Sequence, residues 1–179
     1  SMTSPAVCVA QSPFTYDRCS FMFVTKNKKL AVKHTDKIEG LLSYEYTDNL
    51  ERFTHLANQT VDWIMAQPTA LMKRNHIGIE GYAFGAKGQV FNIGENTGIL
   101  KFKLAERVAN TMSVFPPSTI KKFATGKGNA NKELMYEAFV EETGDDLAKL
   151  FEFNPYKGQS PVSDIIDSYY IAKYRNENS

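Results

Sequence analysis

The sequence predicts a mixed α/β fold: a five-stranded sheet with helices on both faces, in the order β-β-β-α-β-α-β-α-α. Three observations predict it. Short apolar, mostly β-branched runs (AVCVA, 6–10; FMFVT, 21–25; HIGIE, 76–80) recur between longer stretches of helical spacing. The first two runs flank SPFTYD, a turn, so the chain opens on a hairpin. Beyond the hairpin, strands and helices alternate. A length of 179 residues suits one domain, 1–179, with 1–5 and 175–179 as flexible ends.

Each element has its own warrant. GLLSYEY, 40–46, supplies a third strand. Asp48 or Asn49 caps a helix in which Phe53, Leu56, Ala57, Val61, Ile64 and Met65 hold one apolar face to about Ala66, and Pro68 ends it. HIGIE, the fourth strand, runs into a glycine-rich loop. Ile93, Thr97, Leu100, Leu104 and Val108 mark a second long helix over 91–112. Gly94 and Gly98 form a notch on it, which suits close packing within the chain or against a second copy. SVF, 113–115, closes the strand set before Pro116 and Pro117. STIKKFAT, 118–125, is a short helix, GKGNAN a loop with Asn129 or Asn131 as cap, and 132–144 a helix stopped by Gly144. Ser163 caps a last helix, 164–174.

Composition narrows the classes. The chain is 42% hydrophobic and 23% charged, an ordinary globular balance. No apolar run reaches the roughly 18 residues of a membrane span, and the start lacks the basic-then-apolar pattern of a secretory signal. Ser1 before Met2 reads as a cleavage scar. No membrane partner is expected, and the expected location is the cytoplasm. Cys8 and Cys19 lack metal-ligand spacing and read as reduced, buried thiols; His34, His55 and His76 are scattered. The net charge of +1 hides an asymmetry: lysines crowd into 101–132, acids into 133–152. A local basic surface for nucleic acid is compatible with that total.

Three acids stand where a core would not choose them. Glu80 ends a strand that the pattern places in mid-sheet, where ligands of open α/β sheets gather. Asp164 and Asp167, three apart, share a helix face among Ile165, Ile166, Tyr170 and Ile171. Asp164 also suits a helix N-terminus, and an Asp–Asp pair on a solvated face is common; Asp167 is harder to explain so. Like charges held close repel, and a divalent cation relieves the repulsion; carboxylate oxygens are the hard ligands that Mg²⁺ or Mn²⁺ prefers.

Three blocks, IGIEGYAFGAKG (77–88), PPSTIKKFATGKGNANKELM (116–135) and SDIIDSYYIAKY (163–174), resemble the RuvC family of Holliday junction resolvases, particularly its phage-type members, within the RNase H-like superfamily. The resemblance runs from about residue 6 to 174. It implies an RNase H-like fold and a structure-selective endonuclease that resolves four-way and related branched DNA junctions. It implies Mg²⁺, with Mn²⁺ substituting, at two ions per site, held by Glu80, Asp164 and Asp167. It implies a homodimer, matching the two equivalent strands of a four-way junction. Lys132 and Lys121 match basic positions near the scissile phosphate, with Lys122 and Lys127 beside them in the same basic block. Tyr82, Phe84 and Lys87 lie in the loop that reaches into the junction, where a ring would stack on an unpaired base. One position departs. The family's first strand ends in Asp, and here Gln11 stands at that catalytic position. The departure leaves three readings: a substitution that disables cleavage but keeps binding, Asp17 serving from a shifted turn, or a weak or inactive member. A non-catalytic branched-DNA binder is therefore the alternative function, with a nuclease for RNA–DNA hybrids a third.

Overall fold

The computed structural model describes residues 5–68, 76–81, 90–108, 111–154, 157 and 159–178. β1 (Ala6–Ala10) and β2 (Cys19–Thr25) form the expected hairpin, antiparallel with Cys8 opposite Phe21, around a 3₁₀ turn at Tyr16–Arg18. β2 is buried on both faces because its alternating side chains serve two cores. Phe21 and Phe23 point into one cluster; Met22 and Val24 point into another with Leu56 and Trp63. That division puts helices on both sides of the sheet, as the sequence predicts.

β3 is Ile38–Leu42, earlier than the expected 40–46, and it pairs parallel to β2. A parallel neighbour needs a crossover. The crossover contains α1 (Lys28–Ala31), a single turn capped by Asn27, whose side chain accepts from Lys29 N. It lies hard on β3, where a Cβ on Gly40 would come within 2.7 Å of the Ala31 carbonyl oxygen. α2 (Asn49–Ala66) starts as predicted. Asp48 accepts from Glu51 N at 2.8 Å, Glu51 accepts from Thr47 N at 2.7 Å, and Phe53, Leu56, Ala57 and Val61 are buried.

β4 (His76–Glu80) and β5 (Thr111–Phe115) are parallel, joined by α3 (Val90–Arg107). The helix expected over 91–112 ends at Arg107. Thr111 and Met112 continue the helical spacing in sequence, but the ladder to His76 and Ile77 claims them as strand. α3 lies beside α2, with Arg107 to Asp62 at 2.7 Å and Asn49 to Asn92 at 3.4 Å. A Cβ on Gly94 or Gly98 would meet nothing within 4 Å, so the notch receives no described part of the chain.

After β5 the described residues form the helices α4 (Pro117–Thr125), α5 (Lys132–Thr143), α6 (Leu147–Phe151) and α7 (Val162–Glu177). α7 starts two residues earlier than expected, with Pro161 and not Ser163 as its cap, and runs to Glu177, so 175–177 are helical and not a loose end. The expected five-stranded sheet is corrected: the described residues form a three-stranded sheet, β1-β2-β3, and a two-stranded sheet, β4-β5. α7 packs against both β1 and β4 and so joins the two sheets by side chains where no ladder does. No described helix is long and apolar enough to cross a membrane.

Candidate metal centre

α7 lies close on β4 at Gly78, where a Cβ would come within 2.9 Å of Ile171 Cγ2. Two residues along a strand rise about 6.6 Å and one helical turn about 5.4 Å. Moving from Gly78 to Glu80 along β4 thus keeps step with moving from Ile171 back to Asp167 on α7. Asp164 follows one turn further. The strand end and the DxxD face meet for this reason.

Their charges confirm the meeting. Asp167 is half-buried, and its pKa is raised to about 7, first by burial and then by the charges of Glu80 and Asp164, with Lys132 and Lys121 opposing. Glu80 is solvent-exposed, yet partial burial of its carboxyl raises its pKa, Asp164 adds to the rise, and Lys121 and Lys132 lower it. The five side chains therefore form one electrostatic group. Ser160 Oγ donates to Asp164 Oδ2. Lys132 Nζ donates to Ser163 Oγ at 3.0 Å. Ser163, read from sequence as a cap, instead holds this ammonium at the first turn of α7 beside Asp164.

The lysines sit where helix ends place them. Gly126, at φ +76°, stops α4, and the Asn131 side chain caps α5 by accepting from Leu134 N at 2.9 Å, so Lys132 opens α5. Lys121 is half-buried on α4; Lys122 and Lys127 are exposed around the same turn. Tyr82, Phe84 and Lys87 lie outside the described residues.

Gln11 follows β1 directly, and its N–H bonds Arg18 O at 3.1 Å across the hairpin. No described hydrogen bond links its side chain to Glu80, Asp164 or Asp167. The turn beyond it packs through Phe14 and Tyr16 on Tyr169 of α7. Asp17 is exposed and pairs with Lys37 at 2.8 Å, an arrangement that commits it to the hairpin and not to the three acids.

The donor set fits a hard divalent cation in type and charge: three carboxylates, one of them held well above its ordinary pKa first by burial and then by the other two. It is not a preformed cage. Among the described residues, no three His, Cys, Asp or Glu side chains are gathered closely enough to hold a metal.

The raised pKa has a measurable consequence. A carboxyl with a folded pKa near 7 and an unfolded value near 3.8 keeps its proton better when folded. Metal-free stability therefore falls as pH rises from about 4 to 7, by at most about 4 kcal/mol from this group, less whatever solvent screens at its half-buried carboxyl. Asp167→Asn is expected to remove that part of the slope in thermal melts without divalent cation. Parallel slopes for the two proteins would show Asp167 to be electrostatically unremarkable.

No protein-family model matches the sequence, and no curated protein matches it. Solved structures do. Thermus thermophilus RuvC aligns with TM-score 0.56 at 12% identity, over 96% of this chain and 86% of its own. T. thermophilus RuvC in complex with a Holliday junction substrate aligns with TM-score 0.57 at 12% identity, over 98% and 96%. The chain thus has a RuvC-like α/β fold.

Proposed function

We propose that the chain is a structure-selective DNA endonuclease that resolves four-way and related branched junctions, with Glu80, Asp164 and Asp167 as its metal ligands. What supports the reading is the electrostatic influence of these three acids and of Lys121 and Lys132 on one another, where β4 packs against α7. Glu80, Asp164 and Asp167 would hold Mg²⁺ or Mn²⁺, two ions per site. Bound there, the ions would activate a water and stabilise the leaving 3′-oxygen of the DNA. The chain's own residues bind and orient. Lys121 and Lys132 draw a phosphate towards the acids, and Ser163 fixes the Lys132 ammonium. Lys122 and Lys127 extend the basic surface, and Tyr82, Phe84 and Lys87 probe the branch. A two-fold dimer would present two such centres to the two equivalent strands of a junction. The quoted sequence blocks favour the phage-type branch of the family, and a cytoplasmic setting.

One observation favours a second reading, a branched-DNA binder without cleavage: the first strand ends in the neutral Gln11. Nicking assays on a four-way junction, its linear duplex and an RNA–DNA hybrid, with Mg²⁺ or Mn²⁺, separate the readings. Preference for the junction is expected, with Gln11→Asp nicking it at least about tenfold faster than the parent. A folded Gln11→Asp protein that binds junctions but cuts none would leave only the binder. Preference for the hybrid would move the chain to the RNase H-type activity.

A further inference from the structure

The stretch 26–37 carries Lys26, Lys28, Lys29, Lys33 and Lys37. Two of these are committed: Lys33 pairs with Glu152 at 2.8 Å and Lys37 with Asp17 at 2.8 Å. Lys26, Lys28 and Lys29 are exposed, and no described carboxylate lies within ion-pair distance of them. Lys26 Nζ stands 5.4 Å from the ring centre of Tyr46. Tyr46 belongs to a three-ring group: Tyr44 lies 4.9 Å from it, and His55 lies 4.1 Å from Tyr44. Tyr44 is 48% exposed, and the Tyr46 hydroxyl is buried with no hydrogen-bond partner among the described residues. Of the neighbouring acids, Asp48 and Glu51 are spent on the start of α2, while Asp36 and Glu45 are exposed without a described partner.

This group lies at the same end of the fold as the carboxylates. β4 and β5 are parallel, so α3 between them returns antiparallel and begins at the end of β4 that carries Glu80. Asn92, in the first turn of α3, meets Asn49, the first residue of α2. Tyr44 and Tyr46 lead directly into that turn.

We propose that Tyr44, supported by His55 and Tyr46, and the lysines 26, 28 and 29 form a second DNA contact that takes an unpaired strand. The exposed ring offers a face to a base, and the ammonium groups offer counter-charges to its flanking phosphates. Such platforms are tolerant of sequence because every base has a π-face, and each stacked base contributes about 1–3 kcal/mol. The proposal rests on the branched-DNA reading for its setting, because junctions and forks expose unpaired nucleotides, but it concerns different residues.

Fluorescence anisotropy with a single-stranded oligonucleotide and with a four-way junction tests it, on the full chain. Tyr44→Ala is expected to weaken single-strand binding about tenfold, and Tyr44→Phe, which keeps the ring, to restore it. Lys28→Ala/Lys29→Ala is expected to lower the salt slope of single-strand binding by about 1.4. Single-strand affinity unchanged in both Tyr44→Ala and the lysine pair overturns the platform. A wild type that takes single strands but shows no preference for junctions over duplex overturns the branched-DNA reading and leaves the platform standing.

Discussion

Asp167→Asn is expected to lower metal-dependent junction cleavage by on the order of 10²–10³-fold, the range seen when one preorganised electrostatic group is removed from a reacting centre. Where the parent cuts too slowly to follow, the same comparison holds in a Gln11→Asp background. Junction affinity without divalent cation is expected to stay within about twofold, or to rise, because the substitution removes a negative charge near the phosphate path. The physical basis is the position of Asp167: half-buried, between Glu80 and Asp164, and already reluctant to ionise. The isosteric amide relieves that crowding, so the fold should be stable or slightly stabilised. Electrophoretic nicking and binding assays on one preparation read both quantities. A fall in affinity as large as the fall in cleavage would make Asp167 a structural residue.

The parts of this site that were legible in sequence are those set by local geometry. Glu80 is conspicuous because an acid follows Ile77 and Ile79 at a strand end, and Asp164 with Asp167 because three residues return a helix to the same face. β2 and α2 were legible for the same reason, since their periodicities of 2 and 3.6 are written in adjacent residues. Sheet order was not. Whether β3 pairs parallel or antiparallel to β2 depends on a single four-residue turn, α1, too short to leave a periodic trace. The end of α3 was misplaced because Met112 suits either period, and only the ladder to Ile77 decides it.

Tertiary pairing hid other functional signals. Lys33 and Lys37 look the same in sequence as Lys28 and Lys29, and only the ion pairs with Glu152 and Asp17 distinguish them. Ser163 fits a helix cap in sequence, yet Pro161 holds the cap position of α7, which frees the Ser163 hydroxyl to accept from Lys132. Asp17 stands in the hairpin turn, as its position in the sequence suggests, and its pairing with Lys37 is a contact that the sequence does not show.

Whether the three carboxylates act as one metal centre is decided by cation binding. The three acids are not gathered to ligand distance, so a cation held by all of them would draw them closer against their own repulsion. A cation would neutralise the Glu80 and Asp164 charges that, after burial, help raise the pKa of Asp167 to about 7. Crystals soaked in Mn²⁺ and measured by anomalous scattering should show two peaks bounded by Glu80, Asp164 and Asp167, lost or reduced in Asp167→Asn. Saturating Mn²⁺ with no peak between these three side chains, in crystals whose β4 and α7 are ordered, would contradict the account.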